Sequence, residues 1–321
     1  MRFLIVRFSA IGDIVLTTPV IRLLRKKFPN ATIDYTTKLQ YEICVRHNPY
    51  LNTIYTLKPK QSIFSFVRQL PTYDYIIDLH NNLRTFQLKC LMQGKKFSFT
   101  KLNVRKWIYT KFKINLLPDV HIVDRYVATL QYFDIQNDNQ GLDFFIPQSV
   151  KESIKDAYYP IPRIAIVLGA TYFTKKYPLH HVQAVIDLLN ERVVLLGGKN
   201  EMQEGMYLQN YFGNKVLNLC GALNLLESAA VLQYTDVVIT NDTGLMHIAA
   251  ALKKYVISLW GNTTPYFGMY PYQTKHVILQ NNVLSCRPCS KIGYAYCPKK
   301  HFKCMEDILP QNVVEKVIAV I

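Results

Sequence analysis

The stretch Thr235-Asp-Val-Val-Ile-Thr-Asn-Asp-Thr-Gly-Leu-Met-His-Ile-Ala-Ala-Ala-Leu252 decides how this chain is read. Val237-Val-Ile239 is short, apolar and β-branched, as a buried strand requires. The polar turn from Thr240 to Gly244 interrupts it, and Leu245 to Leu252 resumes with good helix formers. The order is strand, turn, helix start. Asn241 or Asp242 stands where a helix cap belongs. The amides at Thr243 and Gly244 then carry roughly half a positive charge at the helix end. Gly244 has no side chain to keep a ligand off the backbone, and such an end accepts phosphate. On the turn alone, an ordinary capped helix after a strand is an equal alternative.

The same rhythm recurs on either side. Phe3-Leu-Ile-Val6 reads as a strand, Ser9 to Asp13 as a turn, Val15 to Phe28 as a helix and Ala31 to Thr36 as the next strand, which is a βαβ unit and implies a parallel sheet. Tyr75 to Leu79 is a later strand. In the second half Arg163 to Leu168, Val193 to Leu196, Val216 to Leu219 and Tyr255 to Leu259 read as strands, with helices over Leu179 to Leu189 and Leu225 to Gln233. Strands that end in Gly or polar turns line up their carboxyl ends, where open α/β sheets bind ligands. Asn137 to Pro162 is polar, irregular and proline-containing, and reads as the domain linker. The expectation is an α/β chain of two Rossmann-like domains, 1–155 and 156–321, facing each other across a cleft in a GT-B-like arrangement.

With 321 residues the chain suits two domains. Its net charge of +16 points to an anionic partner: nucleic acid, a membrane surface or a phosphorylated substrate. No apolar run approaches the roughly 20 residues of a spanning helix, and Met1 to Arg7 does not read as a signal peptide. The expectation is a cytoplasmic protein. From Arg84 to Lys113, nine basic residues occur with no acidic one, interleaved with Phe97, Phe99, Trp107, Tyr109 and Phe112. This composition suits peripheral, salt-sensitive attachment to the inner face of the cytoplasmic membrane. Lysines scattered over solvated helix faces are the other reading.

Arg7-Phe-Ser-Ala-Ile-Gly-Asp-Ile-Val-Leu-Thr-Thr-Pro19 resembles the N-terminal signature of the heptosyltransferases, glycosyltransferase family 9. Asn241 to Leu252 resembles their C-terminal signature, Gly261-Asn-Thr-Thr-Pro265 their following Gly-x-Thr-x-Pro turn, and Asp78-Leu-His-Asn-Asn-Leu-Arg84 also fits. The resemblance implies a GT-B fold, an ADP-heptose donor and an acceptor in the lipopolysaccharide inner core. It places the catalytic base at Asp13, whose carboxylate suits removal of a proton from an attacking sugar hydroxyl. It places a phosphate-binding lysine at Lys175, with Lys176 one residue away as the alternative. Thr171, Thr243 and Gly244 suit the same diphosphate, and Glu201, after Gly197-Gly198, suits the ribose hydroxyls. Asp242 either holds the turn or touches the donor, and His247 is either a ligand or a packed helix residue. Asn82 and Arg84 suit an anionic glycolipid acceptor, against helix capping and a solvated arginine.

No Asp-x-Asp pair suggests a donor-bound metal, so no cofactor is expected for catalysis. Cys286-Arg-Pro-Cys289, Cys297 and Cys304 read either as packed reduced thiols or as ligands of a structural zinc. A transferase using another nucleotide sugar for surface polysaccharide, and a non-catalytic polyanion-binding protein, are the competing readings. The second has no recognisable nucleic-acid module and leaves Asp13 without a role. Nothing in the sequence sets the oligomeric state.

Overall fold

The computed structural model describes residues 1–321. It divides into two compact units, Met1–Lys101 with Val120–Phe145, and Leu102–Asp119 with Ile146–Ile321. The first holds β1 (Arg2–Val6), β2 (Thr32–Lys38), β3 (Thr53–Leu57), β4 (Tyr75–Asp78) and β5 (Lys95–Ser98). Their order is β3-β2-β1-β4-β5 and every neighbouring pair is parallel. The second holds β6 (Ile164–Val167), β7 (Val193–Leu196), β8 (Val216–Asn218), β9 (Val237–Asn241), β10 (Tyr255–Trp260) and β11 (His276–Gln280). Their order is β11-β10-β9-β6-β7-β8, again all parallel. The central strands are apolar without alternation, because helices cover both faces of such a sheet. Phe3, Leu4, Ile5 and Val6 of β1 and Val237, Val238 and Ile239 of β9 are all buried.

Each sheet has one switch point. In the first unit it lies between β1 and β4, and in the second between β6 and β9. There the loops leaving the two carboxyl ends turn to opposite sides and leave a crevice.

Three expectations change. The helix expected over Val15 to Phe28 runs from Thr18 to Lys27, and a separate short helix, Ile11–Val15, takes over part of the expected Ser9 to Asp13 turn. Pro19 causes the break: its ring fits the first turn of a helix and clashes deeper inside one. The proposed linker contains the helix Gln148–Tyr158, whose Ile154 is buried, so apolar contact outweighs the polar composition. The compact units also do not follow a contiguous division at 155/156, since Leu102–Asp119 groups with the second unit. There the helix Asn103–Phe112 sets Tyr109 against Tyr266 and Phe267, at 6.4 and 6.3 Å between ring centroids. Lys113 Nζ donates to the carbonyls of Cys286 and Pro288 at 3.0 and 2.8 Å. Lys113 of the basic stretch is therefore engaged inside the second unit. Burial lowers the pKa of Lys113, and Lys106 lies 5.1 Å over the Phe267 ring.

In the first unit, the helix Thr18–Lys27 is anchored by Arg22. Its buried guanidinium pairs with Asp138 at 2.9 Å and with Asp143, and donates to the Gly141 carbonyl at 2.8 Å. Arg22→Ala removes the guanidinium from two carboxylates, each less than a fifth exposed, and leaves Asp138 with Lys26 alone as a cation. Removing one partner of such a cluster costs about 3–5 kcal/mol, and a urea-denaturation midpoint on the variant should show that loss. A change within experimental error would contradict the anchor.

Candidate active site

At the switch point of the second unit, β9 ends in Asn241 and the helix Gly244–Ala251 begins after two residues. Neither Asn241 nor Asp242 caps it. Thr243 occupies the N-cap, in extended conformation and with no side-chain cap bond. Asn241 is buried and holds the crevice together: its Oδ1 accepts from the Tyr177 amide at 3.0 Å, and its Nδ2 donates to the Leu168 carbonyl at 3.2 Å. Asp242 turns toward the loop that follows β6, taking Lys175 Nζ at 2.5 Å and the Thr263 hydroxyl at 3.0 Å. The helix start thus keeps its amides open, next to a lysine held by a carboxylate.

Lys176 pairs with Glu201 at 2.6 Å, and the other Glu201 oxygen accepts from the Gly198 amide at 3.0 Å. Both oxygens of this buried carboxylate are therefore already engaged, one by the loop after β6 and one by the turn after β7. Gly197 is required there, since a Cβ would lie 2.8 Å from Glu201 Cβ. Thr171 is exposed at the rim, and His247 is buried on the helix. Sequence reading missed Thr174. It is buried, and its hydroxyl accepts from the Tyr294 amide at 2.8 Å while its carbonyl accepts from the Asn262 amide at 3.3 Å. Only the fold brings these three segments together.

At the switch point of the first unit, Arg7 follows β1 and is buried. It donates to the Leu79 carbonyl at 2.6 Å and to the Tyr126 hydroxyl at 3.0 Å, and pairs with Asp13 at 2.8 Å. Burial opposes its charge, yet Asp13 leaves its pKa raised overall. Asp13 is the third residue of the helix Ile11–Val15, and its second oxygen accepts from the Ala10 amide at 3.2 Å. The carboxylate is held from two sides and remains 24% exposed. Asp78, at the end of β4, accepts from the amides of His80 and Asn81 at 3.0 and 2.8 Å and pairs with Lys89 at 2.9 Å. Asn82 is a cap: its Oδ1 accepts from the Thr85 amide at 3.0 Å. Arg84 is exposed and joins Lys38, Lys58 and Lys60 around a cavity of about 520 Å³ with no acidic residue in its wall. The three lysines are far from Arg84 in sequence, so only the fold reveals the group.

The cysteines are all free. Cys304 is buried in the core of the second unit, where burial raises its thiol to about 12. Cys286 Sγ lies 3.8 Å from His301 Nε2, and Cys289 Sγ lies 3.0 Å from the Cys286 carbonyl. The four do not bring three ligand atoms within 4.8 Å of one another; His180, His181 and Glu306 do. Residues 63–299 match the model of glycosyltransferase family 9 (heptosyltransferase). The chain belongs to that family.

As a family 9 member it is 24% identical over 337 residues to lipopolysaccharide heptosyltransferase 1 of Pseudomonas aeruginosa, covering 96% of this chain and 91% of that one. It is 33% identical over 118 residues to lipooligosaccharide heptosyltransferase 2 of Campylobacter jejuni. That match spans 37% of this chain and only 35% of the relative. Escherichia coli heptosyltransferase WaaC, solved with ADP, superposes with a TM-score of 0.73 at 20% identity, covering 99% of each chain. The chain has the GT-B-like α/β fold of this neighbour.

His80 provides a pH signature for the first unit. Its ring meets Phe8 at 6.1 Å between centroids. Burial first, then the charges of Arg7 and Lys101, lower its pKa to about 4. An unfolded histidine titrates near 6.5, so unfolding takes up a proton between those values. The stability this neutral imidazole allows is complete above about 6.5, falls as pH drops through the window and levels off below about 4. His80→Gln should flatten that part of a urea-midpoint series. An unchanged slope would contradict the assignment.

Proposed function

We propose that this chain is an inverting glycosyltransferase that moves a heptose from ADP-heptose to the lipid A-linked inner core of lipopolysaccharide. The observation that carries the reading is the open start of the helix Gly244–Ala251, with Lys175 beside it, in a chain of family 9. Oriented amides and a cation are what a departing nucleoside diphosphate needs. That WaaC was solved with ADP supports the choice of donor.

In this reading the acceptor hydroxyl attacks the anomeric carbon opposite the diphosphate. The new carbon–oxygen bond forms as the bond to ADP breaks, so the configuration inverts. Asp13 takes the hydroxyl proton. The amides from Gly244 onward, the Thr243 hydroxyl and Lys175 meet the charge on ADP. The Asp242 pairing holds Lys175 ready and is exchanged for phosphate when the donor binds. Lys38, Lys58, Lys60 and Arg84 receive the anionic groups of the acceptor, and Asn82 supports them as the cap of the helix that carries Arg84. Attachment to the inner leaflet is peripheral in this proposal. No helix is long and apolar enough to cross a membrane. Leu83, Phe86 and Leu91 are exposed near the cationic cavity, with Phe64 and Phe86 lining a second, more apolar one.

Steady-state kinetics with ADP-heptose and a lipid A-linked acceptor tests the division of roles. Asp13→Asn should lower kcat by roughly 10²–10⁴, about 3–5 kcal/mol of barrier, with ADP binding retained. Lys58→Ala with Lys60→Ala should instead raise KM for the acceptor and leave kcat nearly unchanged. Near-normal turnover in Asp13→Asn would remove it as the base, and no turnover by the unaltered protein would refute the choice of substrates.

A further inference from the structure

His180 and His181 open the helix Leu179–Leu188, and Glu306 closes the short helix Lys303–Glu306. All three belong to the second unit. The two imidazoles converge on one carboxylate oxygen: Glu306 Oε2 is 3.1 Å from His180 Nε2 and 3.3 Å from His181 Nε2. The three ligand atoms lie within 4.8 Å of one another.

The far side of His181 fixes what its Nε2 offers. Its Nδ1 lies 3.1 Å from the Ile308 carbonyl, which can only accept, so Nδ1 carries a hydrogen. The Tyr177 hydroxyl donates to the same carbonyl at 2.6 Å and lies 3.2 Å from Nδ1. With Nδ1–H held by the carbonyl, Nε2 faces the Glu306 carboxylate at 3.3 Å, a contact that either a proton on Nε2 or a metal ion between the two atoms satisfies. An imidazole whose Nδ1–H is held by a backbone carbonyl is the usual tautomer of a metal-ligating histidine. The two imidazole–carboxylate spacings, 3.1 and 3.3 Å, are close to what an ion would set. Bonds of about 2.0–2.2 Å to nitrogen and oxygen at tetrahedral angles set neighbouring ligand atoms roughly 3.3–3.5 Å apart.

We propose that His180, His181 and Glu306 form a binding site for a divalent transition-metal ion of the zinc class. Two imidazoles and a carboxylate suit such an ion and suit magnesium poorly. His180 is 67% exposed, which leaves the fourth position to water. Both His180 and Glu306 line a cavity of about 290 Å³ together with Lys176 and Glu204. The ion would tie the helix that follows the Lys175 loop to the segment that leads into the C-terminal helix Pro310–Ile318.

The test is a Co²⁺ titration of the chelator-treated full chain, followed by visible and near-ultraviolet absorption. About one equivalent should bind, with the visible bands of a four-coordinate nitrogen and oxygen site and no thiolate charge-transfer band. His180→Ala and Glu306→Gln should each weaken binding by about tenfold or more. Because His180 is exposed, its variant should keep the circular dichroism of the parent. Cys286→Ser should leave the Co²⁺ affinity unchanged. Binding that survives both His180→Ala and Glu306→Gln, a thiolate band abolished by Cys286→Ser, or no Co²⁺ bound at millimolar concentration would overturn the proposal.

Discussion

A parallel sheet that winds helices onto both faces must reverse its winding once, and this chain places its reactive groups where that reversal occurs. Between β6 and β9 the strand ends diverge and the helix Gly244–Ala251 starts with its amides unclaimed. Between β1 and β4 the same divergence leaves Arg7, Asp13 and His80 together. Neither crevice could be filled by side chains of the sheet, because those point to the two faces and not along the strands.

Charges in these crevices are balanced before any ligand arrives. Lys175 is held by Asp242, Lys176 by Glu201 and Arg7 by Asp13. A buried, unpaired ion is costly, so the pairs orient their members while keeping the unliganded fold stable. Lys175 and Asp242 differ from the others in flanking an open helix end. A phosphate entering there offers Lys175 a second anion and the amides their first. Glu201, by contrast, has one oxygen on Lys176 and the other on the Gly198 amide, so it ties the loop after β6 to the turn after β7.

Local sequence carried the buried central strands, because those are apolar runs bounded by turns, and missed β3, β5 and β11 at the sheet edges. It placed the strand–turn–helix at Val237 to Ala251 and Asp13 near the end of β1. It misplaced the helix cap, since Asn241, Asp242 and Thr243 all suit a cap and only the loop partners decide among them. Asn241 is drawn away by Tyr177 and Leu168, and Asp242 by Lys175 and Thr263. The members of the basic stretch also go to different places. Composition cannot tell that Lys113 donates to carbonyls of a segment far along the chain while Arg84 faces an open cavity. The cationic group around that cavity, the Thr174 junction and the His180, His181 and Glu306 cluster are all assembled across long sequence separations.

The central claim is that the open helix start and Lys175 receive the donor's diphosphate. A crystal structure of the chain with ADP tests it most directly. The account predicts a phosphate oxygen about 3 Å from the amides at the start of the helix Gly244–Ala251, with Lys175 Nζ moved from Asp242 onto the diphosphate. ADP bound elsewhere, with the Lys175–Asp242 pair intact and the helix start unoccupied, would contradict it.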